Sequence, residues 1–493
     1  MKLFFFCISL LVSTSLLAQK EANHWVIGEF VGLDFNPGEP VVFSGQANTQ
    51  FSTVSISDKN SGELLFYSDG LTIWNRDHEV MLNGNDINGS APRFFQHCIA
   101  VPLPSDPSRY YLFTLAASTG EQLYHRLFYS VIDMSLDDGR GGVVEPLKNV
   151  NADMTLLAAK IMAIPHANDK DYWLVTHSVT GNDFYVSLVN DNGILPPDTI
   201  RLGSFYETRP VDVETTGYIK ASPNGKKIAV SHLFSRDAGV NTGDPIEDGW
   251  PFELFDFDPA IGEITSPVYL GHFIRQAGIS FSPGNSKLYL LGIDNEDFFH
   301  QFDLNSEDIL ASKTGLFEQN PRIRGTVIGV ISEAMEIAIN GKVYLGGGSY
   351  PFPENNALGV IHNPNAKGVD CDFQRVTFPL GPFQRFSFGL PNSIQSTFDN
   401  ITSNRNPNVP CNDNTLYVLY PNPASDVMTL EVPERCFGPY KLSIYSSLGQ
   451  RICRHAVDRQ VFGPIDVKNF KSGLYFAVLE FADARIVKQF VKL

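Results

Sequence analysis

Along the middle of the chain one pattern of apolar and polar positions returns six times. A short apolar or alternating run is followed by a polar turn rich in Asn, Asp, Gly and Pro, then by a second apolar run carrying aromatic residues. The copies are STVSISDKNSGELLFYSDG from Ser52, CIAVPLPSDPSRYYLFTLA from Cys98, MAIPHANDKDYWLVTHS from Met162, YIKASPNGKKIAVSHLF from Tyr218, GISFSPGNSKLYLLGID from Gly278 and MEIAINGKVYLGGGSY from Met335. In the later copies the turns Pro223-Asn224-Gly225, Pro283-Gly284-Asn285 and Asn340-Gly341 supply residues that tolerate positive φ between two apolar runs, which predicts β-hairpins. Each hairpin leads into a further strand-like run: LTIWNRDHEVM, LFYSVIDMSL, FYVSLVNDNGIL, FELFDFDPAIGEI, FFHQFDLNSEDIL and LGVIHNPN.

The copies are spaced by roughly 45 to 65 residues, near the period of propeller blades. A sheet of three or four such strands cannot bury both faces alone, so units of this kind stack radially about an axis. The pattern therefore predicts an all-β chain whose residues 19–399 form a seven-bladed, WD40-like β-propeller. Six blades come from the copies. The seventh is expected from the two ends of the region, with FGLPNSIQSTF from Phe388 as one strand and NHWVIGEF plus the segments around Leu33 to Phe43 as its partners; an array of β-sandwiches is the competing arrangement. Residues 400–415, NITSNRNPNVPCNDNT, are polar and aperiodic and read as a linker. Residues 416–493 return to alternating strands, enough for a small Ig-like sandwich.

Composition agrees with strands: Phe 37 and Tyr 18 stand against Met 7, while Gly 40 and Pro 31 interrupt any helical period. The formal net charge of -17 argues against nucleic-acid partners, whose affinity is built from Lys and Arg releasing counterions. Residues 1–18, MKLFFFCISLLVSTSLLA, carry one early cation, an apolar run from Leu3 to Val12 and a small residue at Ala18, which predicts a signal peptide cleaved before Gln19. That run is shorter than the ~20 residues that span a bilayer, and no later one reaches the length, so no transmembrane segment is expected after cleavage. Five cysteines then remain, and an odd number leaves at least one thiol unpaired. Cys371 with Cys411, and Cys436 with Cys453, are the disulfides an oxidising compartment would permit.

The terminal segment carries four landmarks in order: Tyr420-Pro421-Asn422-Pro423-Ala424, the Ser447-Leu448-Gly449-Gln450 turn, Lys471-Ser472-Gly473-Leu474-Tyr475, and a basic, apolar ending through Lys488 and Lys492. In these it resembles the type A C-terminal sorting domain of type IX secretion substrates. The resemblance implies export by way of the periplasm, passage through the outer membrane by the type IX secretion machinery, and a secreted or outer-surface location. The region from about residue 23 to 398 is similar to repeat regions of other large secreted proteins with this kind of sorting domain, through HWVIGEFVGLDF, LLFYSDGLTIWNRDHEVM and FGLPNSIQSTF. That implies a propeller and assigns no activity.

Candidate chemistry is sparse. His97, His166, His177 and His232 lie on or beside innermost strands and could converge near the axis, but no metal-binding spacing links them. Ser68-Asp69-Gly70, Trp74-Asn75-Arg76-Asp77-His78 and Asn83-Gly84-Asn85-Asp86 gather oxygens that could hold calcium, although the same residue types serve tight turns. Asp137-Asp138-Gly139-Arg140-Gly141-Gly142 reads the same way, whereas Gly346-Gly347-Gly348 after a strand invites a phosphate-loop reading that lacks the following Lys-Ser or Lys-Thr and the helix, so a wide turn or close backbone approach is expected. No catalytic residue is assigned. A binding protein for a glycan or surface protein is the leading expectation, and an extracellular hydrolase or lyase acting on polysaccharide or peptide is its rival.

Overall fold

The computed structural model describes residues 20–399 and 418–493, apart from 50, 90–95, 119–123, 207–214, 235–249, 274–275, 277, 293, 295–296, 317–333, 347–356, 381–388, 421–422, 432–439, 448–449, 458–464 and 481–484. The expected leader and linker fall outside these residues. The chain divides into two compact units, Lys20–Ser403 and one holding Asn404–Leu493.

In the larger unit antiparallel sheets follow one another as blades. Blade 1 is His24–Ile27, Glu29–Asp34 and Val41–Asn48; blade 2 is Val54–Ser57, Leu64–Ser68 and Ile73–Asn75. Blade 3 contains Cys98–Leu103, Asp106–Ala117 and His125–Asp133, and blade 4 contains Leu157–Pro165, Tyr172–Ser178, Gly181–Asn190 and Asp198–Tyr206. A pairing of Leu157 with His125 joins these two into one ten-stranded ladder. Blade 5 is Ile219–Ala221, Lys227–Val230, Trp250–Asp258 and Glu263–Phe273. Blade 6 is Ile279–Phe281, Lys287–Leu291, Phe299–Asp303 and Thr314–Gly315; blade 7 is Ala334–Ile337, Val343–Gly346, Ala357–Ile361 and Phe373–Pro379. All six repeated segments are hairpins opening a blade. Gly225, Asn285 and Gly341 take φ of 68°, 58° and 76° in their turns, as those residue types allow.

The first strands of blades 2 to 7 contact one another in succession, so they line the axis. Apolar cores fill each gap: Phe66 with Leu112, Phe113 with Leu174, Val175 with Ile228, Phe252 with Leu288, and Phe299 with Val343. Trp25 meets Tyr344 edge-on at 5.6 Å, closing blade 7 against blade 1, and Val26 shares a core with Tyr67 of blade 2. Each fully buried side chain of this size contributes about 1.5–3 kcal/mol of transfer free energy, which is why blades that are unstable singly hold as a closed series.

Blade 1 departs from the expectation. Its three strands come from the N-terminal side alone, and His24–Ile27 runs antiparallel to Val54–Ser57 beside it. The strand's free edge is met by hydroxyls: Ser57 Oγ accepts from His24 N at 3.2 Å, Ser55 Oγ accepts from Val26 N at 2.9 Å, and Thr53 Oγ1 donates to Val26 O. The anticipated strand from Phe388 does not form among the described residues. Leu390–Ile394 joins no ladder there, Gln395–Phe398 is a 3-10 turn, and Phe388 itself lies outside them. Pro391 has no N–H to give a ladder. The segment instead passes along the axis, with its polar side chains bonded to several blades at once.

In the second unit Val418–Tyr420, Val427–Glu431 and Ile465–Asp466 form one sheet. The other runs in the order Arg451–Val457, Tyr440–Ser446, Gly473–Glu480, Arg485–Lys492. Met428 and Leu430 of the first pack with Leu442, Ile444, Ala477 and Phe490 of the second, giving a small sandwich with its own core.

Candidate functional site

The axis of the larger unit is where the first strands bring polar groups together, and among the described residues these groups bond to one another across it. Asn392 donates from Nδ2 to Cys98 O at 2.9 Å and to Ile161 O at 3.0 Å, and its backbone N donates to Thr53 O at 2.8 Å. Gln96 donates from Nε2 to Asn392 Oδ1 at 3.2 Å and to Ile219 O at 3.1 Å, and its Oε1 accepts from Ile219 N at 2.6 Å. One residue of the axial segment therefore ties blades 3 and 4 by its side-chain amide, the start of blade 2 by its backbone N–H, and blade 5 through Gln96. Lower in the same segment, Gln395 donates from Nε2 to Glu336 Oε1 at 2.6 Å. Glu336 Oε2 pairs with Lys220 Nζ at 2.5 Å, joining blade 7 to blade 5, and the two side chains are 2% and 3% exposed. The crevice among Gln96, Tyr218, Lys220, Glu336 and Asn392 is too narrow for a water molecule.

A second group lies between blades 4 and 5. Lys160 is wholly buried, with Nζ 2.9 Å from His232 Nδ1, and the His232 and His177 rings sit 6.0 Å apart. Burial pushes the Lys160 amine well below its ordinary range. Burial, with Lys160 beside it, lowers His177 to about 3, and the same causes, with His177 added, lower His232. In each case burial is the leading cause, because a low dielectric disfavours the charged form of a base.

Of the four histidines flagged from the sequence, the fold unites His177 and His232. His97 is buried elsewhere, its Nε2 2.8 Å from Asp69 O, and His166 stacks on Trp173 at a turn. The oxygens considered for calcium are engaged in turn geometry: Asp69 Oδ1 accepts from Leu71 N and Thr72 N, and Asn75 Oδ1 accepts from Asp77 N and Glu79 N. Lys160, Lys220 and Glu336 were missed. Their signal was a charged residue inside an innermost apolar run, as in LLAAKIMAIP, YIKAS and MEIAI. Cys98, Cys371 and Cys453 are free thiols, with Cys98 pushed well up by burial and Cys371 to about 11; Cys411 and Cys436 lie outside the described residues.

In the terminal unit the opening landmark meets the chain's last residues although the two are far apart in sequence. Tyr420 ends a strand, Pro423 is exposed and Ala424 is buried, while Pro421, Asn422 and Gly449 lie outside the described residues. Ala424 N donates to Val491 O at 2.8 Å, Leu493 N donates to Ala424 O at 2.9 Å, and Ala424 bridges Lys492 in parallel. Gly473 opens its strand. Tyr475 donates to Lys471 O at 2.8 Å and stacks on Phe490 at 5.5 Å; Lys488 is half-buried and Lys492 is 8% exposed.

Residues 418–493 match the family described as a secretion system C-terminal sorting domain. No curated protein matches the chain. Among solved structures, a protein from Lactobacillus plantarum is similar at 11% identity over 84% of this chain and 97% of its own, with a TM-score of 0.37. A quinoprotein alcohol dehydrogenase-like protein from Bacteroides thetaiotaomicron aligns at 11% identity over 71% of this chain and 74% of its own, with a TM-score of 0.37. A gluconolactonase from Xanthomonas campestris aligns at 12% identity over 58% of this chain and 89% of its own, with a TM-score of 0.28. Among the described residues no helix is long and apolar enough to cross a membrane. The sorting domain implies export to the cell surface or the extracellular space by type IX secretion.

Proposed function

We propose that this chain is a secreted or surface-displayed recognition protein that binds a glycan or protein ligand on the surface of its propeller. Residues 1–18 carry it into the periplasm and the sorting domain carries it across the outer membrane. The observation that supports the reading is the close polar packing of the described residues at the axis. An enzyme working at the centre of a propeller needs a mouth that admits substrate to an ionisable pair. Here Lys220 and Glu336 neutralise each other beneath Gln395 and Asn392, and Lys160 is sealed against two imidazoles. Among the described residues, the surface we assign to the ligand is the outer one, where a rigid scaffold presents loops and blade faces.

The test uses the purified chain lacking only the leader, presented to a glycan array and to surface extract, with the bound material recovered and analysed for cleavage. Saturable binding of ligand recovered intact is the expected result. Cleaved ligand would overturn the reading in favour of a hydrolase or lyase.

A further inference from the structure

The Trp74-Asn75-Arg76-Asp77-His78 segment is the tip of a hairpin in blade 2. Asn75 N donates to Glu79 O at 2.9 Å, and His78 N donates to Asn75 O at 3.1 Å. This places His78 at φ 62°, a position that glycine or asparagine fills most easily. The imidazole gained there has specific contacts. Its Nδ1 lies 3.1 Å from the Tyr67 hydroxyl, and its ring stacks on Phe43 of blade 1 at 5.6 Å and 27°. Trp74 lies parallel to Tyr67 at 5.4 Å and 16°. Tyr67 is fully buried, and its hydroxyl also accepts from Gln46 N at 3.1 Å, while Trp74 stacked on it is half-buried. Phe43 lies across Gly32, where a Cβ would fall 2.1 Å from Phe43 Cζ. Burial holds the His78 imidazole below its usual range, toward the neutral form.

Two half-buried rings of blade 2, Trp74 and His78, thus pack on one buried tyrosine, and Phe43 of blade 1 stacks on His78, with hydrogen-bonding groups nearby. Gln46 and Asp77 are exposed there, and Glu79 is paired with Arg140 at 3.3 Å. A sugar ring has the matching character: a C–H face that leaves water readily for a flat aromatic surface, and hydroxyls around its edge that seek amide, imidazole and carboxylate partners. The neutral imidazole and the paired Glu79 and Arg140 charges favour an uncharged ligand over a polyanion. We propose that Phe43, Trp74 and His78 form a binding platform for a neutral polysaccharide, an assignment that rests on the recognition reading above.

The test is affinity electrophoresis and calorimetry of the leaderless chain with laminarin, xylan, galactomannan and soluble starch. It is run on the wild type, Trp74→Ala, His78→Gly and, as a control on another blade, Phe205→Ala. His78→Gly relieves the positive φ but gives up the Tyr67 hydrogen bond and the Phe43 stack, so its melting temperature is measured alongside, and a loss of binding in the still-folded variant is read as loss of the ring. The expected result is retardation by at least one polysaccharide, weakened tenfold or more in both platform variants and unchanged in Phe205→Ala. Polysaccharide binding that survives both platform variants, or that falls equally in the control, overturns the platform while leaving the recognition reading standing. Wild-type chain that ignores all four polysaccharides but captures a protein ligand does the same. Polysaccharide shortened on incubation overturns the recognition reading itself.

Discussion

Asn392 is a single side chain that holds the centre of a large structure. Its amide satisfies two carbonyls on neighbouring blades and receives a bond from Gln96, and the residue itself is buried. Removing it leaves buried acceptors unmatched, each costing about 1–3 kcal/mol, so Asn392→Ala should lower the unfolding free energy of the larger unit by about 2–4 kcal/mol. Denaturant titration of the full chain measures this, and a loss below about 1 kcal/mol would show that the axial segment is not a keystone. The buried bases give a second prediction at this scale. His177 is lowered to about 3 and His125 to about 4, in both cases chiefly by burial, whereas the unfolded chain takes up these protons near the ordinary pKa of about 6.5. Between those limits the unfolded state binds more protons, so stability is fully present above about pH 6.5 and falls as the pH drops toward 4, by about 1.4 kcal/mol per pH unit for each such histidine. Melting temperatures from pH 7.5 to 4.5 should show that slope, and His177→Gln should flatten it. An unchanged slope in the variant would remove His177 as a cause.

At the scale of elements, what was legible in the sequence was what depends on neighbours in the chain. The six hairpins are set by turn residues lying between two apolar runs, so Asn224-Gly225 and Asn340-Gly341 announce their strands without help from elsewhere. Blade 1 could not be read this way. The hydroxyls that satisfy the edge of His24–Ile27 belong to Thr53, Ser55 and Ser57, and nothing in either stretch alone says that one caps the other. The segment after Leu390 has the alternation of a strand, yet Asn392 and Gln395 find better partners across the axis than a ladder would offer. The same distance effect hid the candidate site. His177 and His232 were visible as histidines near strand ends, but their grouping with Lys160 required blades 4 and 5 to be side by side. Lys160, Lys220 and Glu336 looked like interruptions of apolar runs, although a charge in the middle of an innermost strand is itself a sign of a buried partner.

For the molecule as a whole, the two units draw on separate sets of residues. The core of the terminal sandwich comes from Ala424 to Phe490, and those of the propeller come from Ala22 to Phe398. Neither set needs the other to bury its apolar surface, so the export signal and the exported body should be separable in stability and coupled only in delivery. Within the sandwich, Ala424 of the opening landmark is hydrogen-bonded to Val491 and Leu493, so the opening and closing landmarks are folded against each other. Deleting residues 416–493 in the bacterium that exports the chain should leave the propeller folded and protease-resistant but retained in the periplasm. Immunoblots of periplasm, outer surface and medium, with limited proteolysis of each fraction, measure both halves of that statement. A truncated chain that reaches the surface or medium at the wild-type level would show that 418–493 is not what directs export. One that is degraded in the periplasm would show that the propeller does depend on the sandwich for its stability.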